Sequence, residues 1–124
     1  MDKSNFIKQQ MGILGIPYEF MEWTSDVQYP YFVGEYTDVS TLTEDGYEES
    51  TFLITGFTRG KWIDLERIKE KIKNHFPVAG GLRGQTDSGS IAVFFSGAFP
   101  VLTGEMDLKK IQINLDIKEW KGMN

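Results

Sequence analysis

The run Lys109-Lys110-Ile111-Gln112-Ile113-Asn114-Leu115-Asp116-Ile117-Lys118-Glu119-Trp120 limits the fold more than any other stretch of the chain. Ile111, Ile113, Leu115 and Ile117 alternate with Lys110, Gln112, Asn114, Asp116 and Lys118. On a β-strand this period of two sends every aliphatic side chain to one face and every polar one to the other. On a helix the same spacing would scatter the apolar groups around the axis, so a strand is predicted. One wet face favours an antiparallel sheet over a parallel sheet covered on both sides. The rest of the chain has to cover the dry face.

Two segments have the helical period needed for that cover. Residues 3 to 16 carry Phe6, Ile7, Met11 and Leu14 near helical spacing, with Ser4 able to cap the start and Pro17 ending the run. Asp64 can cap a second helix to about Phe76, whose Leu65, Ile68, Ile72 and Phe76 form an apolar stripe. On its wet side Glu66 with Lys69, and Glu70 with Lys73, stand one turn apart. Between the helices, Tyr31 to Thr41 and Glu48 to Arg59 have the β-branched and aromatic content of strands, joined at Thr43-Glu44-Asp45-Gly46 by Asp-Gly turn chemistry. This is predicted to be a long hairpin with an acidic, protruding tip. Tyr18 to Tyr29 has no clean period: an irregular connector, or a short strand around Phe20 and Met21. Trp23 and Tyr29-Pro30-Tyr31 are expected to close over the rim of the core. Val78 to Gly89 has the composition of a loop. Ser90 to Phe95 is predicted as a short strand, apolar on both faces, followed by a turn at Phe99-Pro100-Val101-Leu102. The expected fold is therefore α+β: a single domain over residues 1–124, with an antiparallel sheet of about four strands, two helices packed on one face, and order α-β-β-α-β-β.

Composition narrows the function classes. With 40% hydrophobic residues in 124, the chain can build one packed core. No apolar run approaches the length that spans a bilayer, and the N-terminus lacks the pattern of a secretory leader, so no membrane partner is expected. Cysteine is absent, which removes disulfides and thiolate chemistry. The net charge of −5 is unevenly spread. Residues 19 to 49 hold nine acids and no Lys or Arg, whereas residues 59 to 83 hold seven bases against three acids. Complementary patches of this kind can orient the association of one copy with the next.

The patterns of chemistry are weak by comparison. His75, the one histidine, falls in the last turn of the second helix, where the helix dipole favours its charged form and its role is expected to be structural. No strand–Ser–helix elbow accompanies it. Gly80-Gly81-Leu82-Arg83-Gly84 lacks the Gly-Lys-Ser/Thr ending of a phosphate loop and precedes a strand, not a helix. The acids Glu44, Asp45, Glu48 and Glu49 would suit a metal-dependent hydrolase, but on a hairpin tip they have no pocket to exclude water. No enzyme activity, metal or other cofactor is therefore expected. Nucleic-acid binding has the basic helix in its favour; against it stand a pI near 4.8 and the lack of aromatic residues interleaved with basic ones on a sheet face.

In layout the chain resembles the small tail-completion proteins of long-tailed bacteriophages and prophages, of the tail-terminator and head–tail joining type. The likeness rests on the hairpin Val33-Gly34-Glu35-Tyr36 with Glu44-Asp45-Gly46 and Phe52-Leu53-Ile54-Thr55-Gly56-Phe57, the helix Leu65-Glu66-Arg67-Ile68, and the ending Ile111 to Trp120. The resemblance implies a non-enzymatic structural protein of the virion tail, put together in the bacterial host cytoplasm. It implies rings, often of six subunits, that end the tail tube or join it to the head connector. The partners would be the chain itself, the tail-tube protein and the connector protein, with DNA passing through without tight binding. A ring needs a contact between two different patches of one subunit. Under this reading Glu44, Asp45, Glu48 and Glu49 approach Arg59, Lys61, Lys69 or Lys73 of the next copy. The loop with Gly80, Gly81, Arg83, Gly84 and Asp87 faces the lumen or an axial partner. The alternative is a monomeric α+β module that binds a peptide or small ligand.

Overall fold

In the computed structural model, residues 2–23, 28–42 and 47–121 are described, with 37–42 described by backbone alone. The order is α1 (Lys3–Leu14), β1 (Tyr18–Phe20), β2 (Tyr31–Leu42), β3 (Tyr47–Thr58), α2 (Trp62–His75), β4 (Leu82–Thr86), β5 (Gly89–Val101) and β6 (Lys109–Lys121). The six strands form one sheet, ordered β1-β2-β3-β6-β5-β4, that curls into a half-barrel. This overturns the expected four-stranded antiparallel sheet. The order is α-β-β-β-α-β-β-β and the sheet is mixed; of its two edges, β1 answers to the alternative of a short strand around Phe20, and β4 replaces part of the expected loop.

Both edges are short and weakly patterned, and their backbone pairing defines them. β1 runs parallel to β2, Tyr18 opposite Phe32 and Phe20 opposite Gly34. It ends at Met21, whose φ of 71° breaks the extended course. β4 was expected to be loop, because Leu82-Arg83-Gly84-Gln85-Thr86 has no strand composition. Its partner supplies the ladder: Leu82 pairs with Val93 and Thr86 with Gly89 across the Asp87-Ser88 turn. The short strand expected at Ser90–Phe95 instead continues to Val101, because a bulge between Phe95 and Gly97 absorbs the change of register against β6.

The β2–β3 hairpin does not stand free. β6 pairs with β3 along its whole length, from Tyr47 opposite Trp120 to Thr58 opposite Lys109, so the arm lies inside the sheet. The turn residues 43–46 lie outside the described residues.

Parity along the strands decides the core. Phe52 and Ile54 of β3, Ile111, Ile113, Leu115 and Ile117 of β6, and Ile91, Val93 and Phe95 of β5 share one cluster with Phe32. Phe6, Ile7 and Met11 of α1 join it, as do Leu65, Ile72 and Phe76 from α2 and its end, with Ile68 packed against it. The terminal alternating strand and the second apolar stripe are thus the core as expected. Two glycines let aromatic rings lie flat on the curled backbone. A side chain at Gly56 would strike Phe32, its cross-strand partner, and one at Gly34 would strike Tyr18 and Phe52.

Helix ends differ from expectation by one to three residues. Asp2, not Ser4, caps α1: its carboxylate accepts from the Asn5 N–H at 2.9 Å, and that bond holds its pKa below the usual range. α2 begins before Asp64, which lies within the first turn and accepts from the Lys61 N–H at 3.3 Å. Among the described residues no helix is long and apolar enough to cross a membrane.

Candidate subunit interface

Each long strand carries one end of the molecule to the other. At about 3.3 Å per residue, Glu48 and Arg59 at the two ends of β3 stand roughly 35 Å apart. Glu48 with Glu49, and Arg59 with Lys61, therefore stand at opposite ends of β3.

At the acidic pole, parity separates neighbours. Glu48 stands opposite Glu119, on the face that carries the core, whereas Glu49 stands opposite Lys118 on the outer face. Adjacent carboxylates on opposite faces cannot converge on one metal ion, which counts against the hydrolase reading. Glu44 and Asp45 lie outside the described residues. Around Glu48 the core face ends in a charged cleft of about 290 Å³, bordered by Lys3, Tyr36, Glu48, Glu119 and Lys121. Lys121 Nζ is 3.7 Å from Glu48 and 3.9 Å from Glu119, and Lys3 Nζ is 3.9 Å from Glu119 while donating to Ser50 Oγ at 3.2 Å. Glu119 is only 8% exposed. It was not singled out as a candidate, yet a signal was present: it continues the odd-numbered series Ile111 to Ile117 and so had to point inward.

At the basic pole, Arg59 is already satisfied. Its Nη1 donates to Asp107 Oδ1 at 2.7 Å, its Nη2 to Glu105 Oε2 at 3.0 Å, and its Nε to the Tyr29 hydroxyl at 3.3 Å. The Tyr29 bond and then the two carboxylates raise its pKa further above the usual range. Lys69 is likewise taken, 2.9 Å from Glu66 and 3.3 Å from Glu70, bonds that raise its own pKa. The expected Glu70–Lys73 pair gives way to Lys69 between both acids, and Lys73 lies 5.9 Å from the centre of the Phe95 ring. Lys61 is exposed. Of the expected basic contacts, two are thus neutralised by acids outside the hairpin.

The expected lumen loop is mostly sheet. Gly80 and Gly81, with φ of 86° and 68°, form the turn into β4, and a side chain at Gly81 would meet the Phe94 ring. Arg83 lies over Trp120 at 5.7 Å, Gly84 takes the Phe6 ring against its backbone, and Asp87 is in the turn. Arg83 belongs to a ladder on the outer face that sequence order concealed. The Tyr47 and Trp120 rings meet at a tilt, their centres 5.4 Å apart, and Lys118 lies 5.1 Å from the centre of the Tyr47 ring and 5.3 Å from that of Phe94. Further along, Lys110 lies 5.5 Å from Phe57, which stacks on Tyr31 at 5.1 Å. Aromatic and basic residues therefore do interleave on a sheet face, contrary to expectation, because each comes from a different strand. Tyr31 has the parity of this face, so its cluster with Trp23 and Tyr29 covers the outer side of the sheet and not the core rim.

His75 Nε2 lies 2.7 Å from Gln10 Oε1, which ties α2 to α1. Burial lowers its pKa, so the charged form favoured by the helix dipole is not the one the packing favours. No protein-family model matches the sequence, and no curated protein matches it.

Proposed function

We propose that the chain is a non-enzymatic building block of a bacteriophage or prophage tail. Copies of it close into a ring, of six in the form the resemblance implies, that ends the tail tube or joins it to the head connector. Polarity along β3 is the observation that carries this reading. Glu48 and Glu49 are at one end of the strand, Arg59 and Lys61 just past the other, and head-to-tail contact needs two such unlike patches. The sheet edges are unlike as well: a three-residue parallel strand on one side, a five-residue antiparallel strand on the other. Of the described charges predicted for the contact, Glu49, Lys61 and Lys73 are exposed, whereas Arg59, Lys69 and Glu48 have acid or base partners within the chain. DNA passing through the ring needs no phosphate grip, so a net charge of −5 is compatible with the role.

Mass measured across concentration and salt, with and without a tail-tube protein, tests the reading. The expected result is one discrete ring-sized species, weakened by salt. A monomer under all these conditions would overturn it. The second reading, a monomeric binding module, draws on the outer-face ladder of Phe94, Lys118, Tyr47, Trp120 and Arg83, and predicts that monomeric result.

A further inference from the structure

We infer that the β5–β6 loop is the protruding half of a contact between two copies of this chain, and that the groove between the C-terminal parts of α1 and α2 receives it. The inference rests on the ring-building role proposed above and names the patches that meet.

The loop displays what a solitary chain gains nothing by displaying. Leu102 is 99% exposed and Met106 103% exposed, two large apolar side chains wholly in water. It is also held in place. The Thr103 hydroxyl donates to Leu108 O at 2.9 Å and accepts from the Glu105 N–H at 3.1 Å. Arg59, at the end of β3, grips Glu105 and Asp107 on either side of Met106. A loop fixed before contact loses less freedom on binding, so its apolar side chains contribute more of their burial to affinity.

The groove has the complementary character. It is a shallow, open depression of about 450 Å³, lined by Ile13, Leu14, Lys71, Asn74 and His75. Ile13 is 67% exposed, which leaves an apolar wall uncovered. Lys71 adds positive charge where the loop would arrive with two carboxylates, Glu105 and Asp107, against the one Arg59 they share, so apolar meets apolar and a net negative loop meets a base. Pairing loop with loop instead would set Glu105 and Asp107 of two copies against each other. Because loop and groove are different patches, their contact propagates from copy to copy.

The chain has no cysteine, so an introduced pair reports directly. The double variant Met106→Cys with Ile13→Cys, mildly oxidised, is expected to give a ladder of covalent dimers, trimers and larger species. Either single variant is expected to stay monomeric, because like patches do not meet; a dimer from either would let the ladder form through like pairs and would overturn the inference. A double variant that stops at the dimer would overturn it too. In a second measurement, Leu102→Asp with Met106→Asp is expected to weaken assembly at least tenfold with an unchanged melting temperature, since both positions are exposed. Undiminished assembly would sink the loop contact and leave the ring reading standing. A wild-type chain that never assembles would sink both.

Discussion

Glu48 and Glu119 face each other across the β3–β6 ladder, two carboxylates in register on the core side of the sheet. Like charges placed this way repel. Lys121 reaches both, and Lys3 reaches Glu119 from the start of α1. Residues from the two ends of the chain thus gather at one pole of the molecule.

Lys121→Met removes the cation common to both acids. Stability is expected to fall by about 0.5–1 kcal/mol, the scale of partly exposed pairs. The loss should shrink in 1 M salt, where repulsion between the remaining acids is screened. Urea unfolding at low and high salt measures both. An equal loss at the two salt concentrations would assign the effect to packing of the lysine stem.

Gly34→Ala places a methyl group where Tyr18 and Phe52 already lie. The rings have to move, and overpacking of this kind costs about 1–3 kcal/mol. Gly12→Ala, in α1 with open space around it, should instead be neutral or slightly stabilising. Thermal unfolding of the two variants side by side separates crowding from backbone effects.

The pH dependence follows from His75. Burial lowers its folded pKa, so below the ordinary imidazole value of about 6.5 the unfolded chain binds the extra proton more readily. Stability should be full above about pH 7, fall as pH drops toward the folded pKa, and level off beneath it. His75→Gln should flatten the melting-temperature slope between pH 7.5 and 5.5. A slope as steep as in the wild type would place the proton uptake elsewhere.

Arg59→Met releases Glu105 and Asp107. Amide exchange across residues 102–108 should quicken while the core of β6 stays protected, since the clamp holds the loop and not the strand. Hydrogen exchange followed by mass spectrometry reads this segment by segment. Unchanged protection in the loop would mean that the Thr103 bonds suffice to hold it.

What could be read from the sequence was what side-chain period encodes. Ile111 to Ile117 announced a strand with one dry face, and Leu65, Ile68, Ile72 and Phe76 announced a helix to lie on that side. Both signals survive in the structure because apolar burial drives them and parity transmits them. Glu119 obeys the same parity, its charge notwithstanding.

β4 was not legible and β1 only as one of two readings around Phe20, since an edge strand is held by backbone bonds to its neighbour, and those bonds leave little mark on Tyr18-Glu19-Phe20 and none on Leu82-Arg83-Gly84-Gln85-Thr86. The partners of Arg59 and the ladder around Lys118 were hidden for a related reason. Glu105 and Asp107 are more than forty residues from Arg59, and Phe94, Tyr47 and Trp120 come from three strands. Local order in the sequence sets which face a residue takes. Only the assembled sheet decides which residues from distant segments meet on that face, because register is a property of two strands together.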